Sequence, residues 1–203
     1  MILSDDTYGG TMDKKDYFVQ DTAIVDENCE IGEGTRIWHW CHIMHGVKVG
    51  RNCNIGENAF IETGVVLGDN VKVKNNVALY TGVECENNVF LGPNCVFTNV
   101  ANPRSFINRK NEFKKTVIHE GATIGANATI VCGHDIGKYA FVGAGSVVTK
   151  TVPDYNMVIG NPAKLYAYVC KCGCKLDINL HCKECGNQYA GDEEGNIVPV
   201  LEK

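Results

Sequence analysis

Residues 19–102 read VQDTAI VDENCE IGEGTR IWHWCH IMHGVK VGRNCN IGENAF IETGVV LGDNVK VKNNVA LYTGVE CENNVF LGPNCV FTNVAN. Apolar residues stand six apart throughout: Val19, Val25, Ile31, Ile37, Ile43, Val49, Ile55, Ile61, Leu67, Val73, Leu79, Cys85, Leu91 and Phe97. A period this regular decides the architecture before any single residue is considered. In a helix, residues six apart lie on opposing faces, so the period excludes one long helix. Short strands separated by turns fit it. Gly, Asn and Asp crowd the third and fourth hexad positions, where they reach φ > 0 at little cost. The fifth positions, from Ala23 and Cys29 to Val89 and Cys95, are small or β-branched, as a narrow interior requires.

Outward from this stretch, residues 1–18 are polar and read as a lead or a cap on the first repeat. The register breaks once. Pro103 to Val117 is an insertion of fifteen residues, not a multiple of six, so it is expected to be extruded as a loop over 103–117. It carries five basic residues and one acid, in a chain of net charge -5. A loop of this length inside a compact repeat points to function or disorder. Hexads resume at Ile118, Ile124, Ile130, Ile136, Val142 and Val148, and the repeat is expected to end at Val152-Pro153. The expected units are therefore a repeat domain over 19–153, an exit segment over 154–168, a cysteine module over 169–190 and a tail over 191–203.

The acidic balance offers no broad cationic surface for nucleic acid or an anionic membrane. No apolar run is long enough to span a bilayer. The N-terminus lacks a basic start followed by an apolar run, so no signal peptide is expected and the cytoplasm is the default compartment.

The eleven cysteines divide into two groups. Cys29, Cys41, Cys53, Cys85, Cys95 and Cys132 are scattered along the repeat. All but Cys132 fall in inward slots, where cysteine packs as a small hydrophobe. The other five lie within residues 170–185. Cys182-Lys183-Glu184-Cys185-Gly186 is a C-x-x-C-G knuckle, and Cys170-Lys171-Cys172-Gly173 is a shortened version. Two such pairs suit one tetrahedral Zn²⁺ held by Cys170, Cys172, Cys182 and Cys185, with Cys174 as a substitute. A disulfide framework is the rival, disfavoured in a reducing compartment. Four thiolates leave no open coordination position, so the expected role of the ion is structural.

The repeat, with its exit segment Met157-Val158-Ile159-Gly160-Asn161-Pro162-Ala163-Lys164, resembles the hexapeptide-repeat acyltransferases over roughly residues 19–165. That resemblance implies an all-β, left-handed parallel β-helix with one extruded loop, here followed by a small C-terminal zinc ribbon. Three hexads would make one triangular coil, so residue n stacks on residue n+18. The third hexad positions then form three corner columns. One runs Asp21, His39, Glu57, Asn75, Pro93, Ala126, Ala144; the next runs Glu27, His45, Thr63, Thr81, Asn99, Cys132, Lys150; the last runs Glu33, Arg51, Asp69, Asn87, Glu120, Lys138. Gly125-Ala126-Asn127 and Gly143-Ala144-Gly145-Ser146 resemble the family's pantetheine-binding edge. They make Ala126, Gly143, Ala144, Pro162 and Lys164 the candidate acetyl-CoA contacts, with Lys164 for a phosphate.

The matching is closest to bacterial nucleotide-sugar N-acetyltransferases, those similar to UDP-2-acetamido-3-amino-2,3-dideoxy-glucuronate N-acetyltransferase. It is carried by Ile37-Trp38-His39, Lys74-Asn75-Asn76-Val77, Gly92-Pro93, Phe97-Thr98-Asn99-Val100, Asn102-Pro103-Arg104-Ser105, Arg109-Lys110 and the run from Gly125 to Gly133. It implies direct acetyl transfer from acetyl-CoA to the amine of a nucleotide-linked amino sugar, for surface polysaccharide synthesis, by a homotrimer with sites between neighbours. Relatives acting on dTDP-3-amino-3,6-dideoxyhexoses look alike, and an O-acetyltransferase acting on a sugar or serine is the further alternative. Asn99 is the candidate that holds the amine, with His39 and Asn76 as further catalytic candidates. Asn75, Asn76, Arg104, Arg109 and Lys110 are candidates for the acceptor, the cations for its diphosphate or a carboxylate. His39, His42 and His45 fall on different parts of a coil, so one metal ion is not expected to gather them.

Overall fold

The fold, taken from a computed structural model that describes residues 16–200, is a parallel β-solenoid. The expected lead falls almost wholly outside the described residues. No helix occurs among the described residues. Strands of mostly two residues stack in parallel with the strand one coil later. Phe18–Val19 pairs with Arg36–Ile37, Ile24–Val25 with His42–Ile43, and Glu30–Ile31 with Lys48–Val49. These three pairs begin faces one, two and three of a prism. Across the insertion the pairing offset rises from eighteen to thirty-three, as Val83 pairs with Thr116 and Phe90 with Thr123. The fifteen extra residues are therefore extruded without disturbing the stack.

Hexad chemistry explains each part of a coil. The first-position residues point inward, and from Ile37 to Ile130 nearly all are fully buried, with the fifth-position Cys41, Val47, Cys53, Ala59 and Val65 beside them. Removing one such aliphatic side chain from water contributes about 1.5–3 kcal/mol. The second position lies against the next coil's backbone. At Gly125 a Cβ would come within 2.5 Å of the Ala144 nitrogen, and at Gly92 within 2.7 Å of the Ala126 nitrogen. The fourth position turns the corner in the left-handed region: Asn52, Asn70 and Asn88 have φ of 54°, 58° and 62°. Asparagine amides ladder along these corners, with Asn70 Nδ2 donating to Asn88 Oδ1 at 2.8 Å.

Three boundaries differ from the sequence expectation. The extruded segment ends two residues before 117, because Thr116–Ile118 is a strand on face three. The solenoid does not end at Val152-Pro153. Asn156–Ile159 adds another parallel rung to face one, with Met157 opposite Phe141. That offset is sixteen, because the corner after Val148 is two residues short and brings Val152 opposite Ile136. A six-residue count therefore loses the last rung. Lys164–Tyr168 then folds back antiparallel on it. Third, residues 191–200 are not a separate tail. Tyr189–Gly191 pairs with Ile197–Pro199, and Ile197 packs with Cys170, Cys182 and Tyr189. The cysteine module thus runs at least to Pro199.

Burial pushes the Cys95 thiol up to about 12 and holds Cys85 well above its ordinary range; Cys41 and Cys53 are raised for the same reason. Cys85 and Cys95 stay protonated in the folded chain while an unfolded chain ionises near pH 8.5. Stability is then fully present below that pH and falls as pH rises, as the unfolded state loses protons first. Denaturant unfolding at about pH 8 and about pH 9.5 should show the loss, about 1 kcal/mol per buried thiol at the upper pH, with Cys95→Val flattening its own share.

Candidate functional site

The candidate residues lie on two edges of face two. The corner between faces one and two carries His39, Asn75, Asn76, Ala126 and Ala144. The corner between faces two and three carries Asn99 and the base of the extruded loop. Face two lies between them, with Ile24, His42, Phe60, Ala78, Val96, Thr129 and Val147 pointing outward in column. Ile24 and Val96 are 59% and 48% exposed. Face three carries two ion pairs outside, Glu30–Lys48 and Glu84–Lys115, and face two carries His42–Asp26 at 3.2 Å.

At the one–two corner the structure gathers all five expected coenzyme contacts. Ala126 and Ala144 are stacked, with the Gly145 N–H donating to the Ala126 carbonyl at 2.8 Å. The exit segment returns to this corner: Val147 N–H donates to Gly160 O, Ala163 N–H donates to Val147 O, and Gly160 N–H donates to Ser146 Oγ. Pro162 thereby lies in the turn between Gly160 and Ala163 over Val147, Lys164 pairs with Ile159, whose side chain covers Gly143, and both Pro162 and Lys164 are exposed. The glycine at 143 has a packing reason of its own, since a Cβ there would come within 2.7 Å of the Ile159 side chain. The alanines carry a more specific signal. At the three–one corner, third-position N–H groups are capped by the next coil's side chain: Arg51 by Asp69, Asp69 by Asn87, Lys138 by Asp154. Alanine has no such oxygen. Among the described residues no acceptor faces the N–H of Ala126 or Ala144.

The polar half of the same corner is further down. At about 4.8 Å per coil, Asn75 is two coils or roughly 10 Å from Ala126, and His39 is four coils or roughly 19 Å away. His39 Nδ1 lies 2.8 Å from Thr22 Oγ1, which also accepts from the Trp40 N–H. Within one chain His39 is therefore out of reach of the alanine edge. Asn75 and Asn76 have structural work: Asn75 Oδ1 lies over Gly56, 2.5 Å from where a Cβ would stand, and Asn76, at φ 60°, accepts from Asn58 Nδ2 through its own Oδ1.

Asn99 stands at the opposite edge. Its carbonyl accepts from the Lys114 N–H at 2.9 Å, closing the neck of the loop, and Gly82 O accepts from Thr116 N–H beside it. The Asn99 side chain is half-buried and has no partner among the described residues. In the loop, Arg109 Nη1 donates to both carboxylate oxygens of Glu112, at 2.7 and 2.9 Å. Its charge is thus already paired. Arg104 and Lys110 remain exposed, Arg104 donating to the Pro103 carbonyl. Phe106 is 82% exposed.

Cys170, Cys172, Cys182 and Cys185 converge, with all four sulfurs within 4.8 Å of one another. Cys170 and Cys185 are 3.4 Å apart, Cys172 and Cys182 3.6 Å. A tetrahedron with Zn–S bonds of about 2.3 Å has sulfurs about 3.8 Å apart, so the group fits a metal ion. All four are free thiols. Gly173 and Gly186, the knuckle glycines, have φ of 91° and 77°. Cys174 is outside the group; its carbonyl accepts from the Cys170 N–H. Asn187 Nδ2 donates to Cys170 Sγ at 3.7 Å, an outer contact of the kind that orients a ligand.

Three aromatic residues escaped the sequence reading. Trp40, Tyr139 and Tyr155 all sit in the left-handed region, with φ of 57°, 55° and 57°. The signal was available: a bulky ring occupies the fourth hexad position that Asn or Gly fills elsewhere.

Residues 28–63 match the bacterial transferase hexapeptide family profile, and residues 46–81 and 115–150 match the hexapeptide repeat of succinyl-transferase. The dTDP-3-amino-3,6-dideoxy-alpha-D-galactopyranose 3-N-acetyltransferase of Aneurinibacillus thermoaerophilus is 51% identical over 79 residues, 38% of this chain and 41% of that protein. Serine acetyltransferase 4 of Arabidopsis thaliana is 52% identical over 52 residues, 26% of this chain and 15% of that protein. The chain thus spans well under half the length of these relatives. Among solved structures, the acetyltransferase domain of PglB from Neisseria gonorrhoeae FA1090 in complex with acetyl coenzyme A superimposes with a TM-score of 0.52 at 22% identity, over 74% of this chain and 57% of that one. The stacked coils and the matched repeats agree: this chain is a parallel β-solenoid that carries the bacterial transferase hexapeptide repeat.

Proposed function

We propose that the protein transfers acetyl from acetyl-CoA to the amino group of a nucleotide-linked amino sugar. The observation that carries this reading is the uncapped edge at Ala126 and Ala144, where free backbone N–H groups meet the exit segment bearing Pro162 and Lys164. An extended pantetheine can accept those N–H bonds in place of a side chain. One such donor facing the thioester carbonyl stabilises the oxyanion that develops as the amine attacks. The neutral amine forms the new C–N bond, the C–S bond breaks, CoA leaves as thiolate, and the amine sheds a proton to solvent. The Asn99 side-chain oxygen accepts an amine N–H and aims the nitrogen lone pair, so alignment supplies much of the rate.

A dTDP-linked 3-amino-3,6-dideoxyhexose is favoured as acceptor over the UDP-linked uronate. The stretch of similarity to the Aneurinibacillus enzyme supports it. The pairing of Arg109 with Glu112 leaves Arg104 as the exposed guanidinium of the loop.

Asn99 and Ala126 lie on opposite edges of face two, so one chain does not complete the site. If three prisms turn face two toward a common axis, the one–two edge of each meets the two–three edge of its neighbour. The outer column of that face, apolar but for His42 and Thr129, suits burial between copies. We therefore read the active assembly as a homotrimer with three composite sites. The four-cysteine cluster is read as a structural Zn²⁺ site.

A panel of dTDP- and UDP-amino sugars with acetyl-CoA, followed by free thiol, should show turnover with a dTDP-linked 3-amino sugar. Thiol release with serine or hydroxyl acceptors alone would replace this reading with O-acetylation. Asn99→Ala should lower kcat about 10²-fold with an unchanged unfolding midpoint. Co-expressed Asn99→Ala and Ala144→Arg chains, each inactive alone, should recover activity in mixed trimers; no recovery, or a monomer by light scattering, would place the whole site in one chain. Asn76→Gly should keep both stability and activity, because glycine serves the left-handed corner equally well, whereas Asn76→Ala should cost about 1 kcal/mol in denaturant unfolding.

A further inference from the structure

The three–one corner ends differently from the other two. Its fourth hexad positions are Gly34, Asn52, Asn70, Asn88 and Gly121, then Tyr139 and Tyr155. All seven have φ between 54° and 72°. Glycine and asparagine adopt this conformation readily, whereas a residue with a large ring is an outlier there. Such an outlier points to work done by the side chain.

The rings form a continuous path from the solenoid to the cysteines. Gly121 makes room for the first, since a Cβ there would collide with the Tyr139 ring. Tyr139 stacks on Tyr155 with centroids 5.4 Å apart and planes 16° from parallel. Tyr155 meets Tyr189 edge-on at 5.2 Å and 62°. Tyr189 is 2% exposed; its hydroxyl donates to Cys170 Sγ at 3.2 Å and accepts from the Lys171 N–H at 2.9 Å. Tyr155 also shares its buried cluster with Cys170, Cys182 and Ile197, separate from the solenoid core. The backbone follows the same route, with Val169 N–H donating to the Tyr155 carbonyl at 2.8 Å and Tyr155 N–H to that of Lys138 at 2.9 Å.

We propose that a Zn²⁺-class ion on Cys170, Cys172, Cys182 and Cys185 acts as a clasp: by fixing Cys170 and Tyr189 it holds Tyr155 and Tyr139 in their left-handed corners and docks the C-terminal module on the last coil. The docked module in turn holds the antiparallel hairpin of Asn156–Ile159 and Lys164–Tyr168, which carries Pro162 and Lys164. This inference rests on reading the cluster as a metal site. The module has a buried core of only a few side chains, too small to fold without a cross-link or an ion. Without the ion, the stack and the ladder bonds of Tyr139 and Tyr155 lose the support of Tyr189 and Cys170 against the cost of two left-handed tyrosines, and the end of the solenoid loosens. The coupling is reciprocal: a weakened tyrosine stack weakens the hold on the metal.

The test uses the full, reduced chain. Metal analysis should find one zinc per chain, retained in Cys174→Ser and lost in Cys182→Ser. Hydrogen exchange read by mass spectrometry, before and after chelation, should speed up by roughly tenfold or more at the Tyr139, Tyr155 and Val169 amides, leave the amides of residues 36–97 unchanged, and revert when Zn²⁺ is restored. Tyr189→Phe, which keeps the ring and removes the hydroxyl, should still bind one zinc but release it faster to a chelator. Absence of zinc in the purified chain together with no uptake of Zn²⁺ or Co²⁺ would overturn the site. Unchanged exchange at Tyr139 and Tyr155 on chelation, or unchanged zinc release from Tyr189→Phe, would overturn the clasp. Calorimetry of acetyl-CoA on the zinc-loaded chain is run in parallel: if the exchange effect is present and acetyl-CoA does not bind, the transferase reading fails while the clasp stands.

Discussion

The coils of this protein depend on one constraint: at nearly every corner, Thr22 and Thr151 aside, a residue turns through the left-handed region. The turn lets three short strands close a triangle and return to pair with the strand below. Gly and Asn meet the constraint cheaply, and Asn adds a side-chain amide that can bond to the coil beside it, as Asn58 does to Asn76 and Asn70 to Asn88. Once the corners are set, the rest follows. First-position aliphatics meet in the interior, second-position glycines allow backbone to lie on backbone, and third-position side chains project along the edges. The fold is therefore a scaffold whose edges, not its core, are free to vary in chemistry.

That variation separates the three edges. The three–one edge is closed by its own side chains, with Asp69, Asn87 and Asp154 each accepting a backbone N–H from the adjacent coil. The one–two edge has no such cap at Ala126 and Ala144 among the described residues. The difference is a few atoms per coil, and it leaves the backbone donors of the two alanines without a protein acceptor. An uncapped N–H exposed to water costs little, since water bonds it. It becomes valuable when a ligand replaces that water without any reorganisation of the protein.

The sequence revealed the stacking rule and most of its consequences. The eighteen-residue register, the extruded fifteen residues, the inward cysteines and the four converging ligands could all be read from spacing, because each is a local or strictly periodic property. In the folded knuckle it is Cys172, and not the substitute Cys174, that joins the group. The last rung was hidden by a corner two residues short, which breaks the count without breaking the pairing of Phe141 with Met157. The hairpin partner of Tyr189 was hidden because Ile197–Pro199 has no repeat to announce it. Asn75 and Asn76, expected as acceptor contacts from their place on the one–two edge, also serve corners, a packing role that the six-residue count alone does not reveal.

The distribution of candidates over two edges has a physical cause. A prism one hexad wide on each side has no cleft: its interior is filled by aliphatic side chains, and its surface is flat. A concave site that excludes water from a thioester needs a second wall. The extruded loop at Asn99 supplies part of one, and a neighbouring prism supplies the rest if face two is the contact. Under the proposed assembly, the regularity that makes the single chain easy to fold leaves the second wall to a neighbour. Departures from regularity, at the alanines, at the loop and at the two tyrosine corners, are where the repeat exposes chemistry that its periodic coils do not.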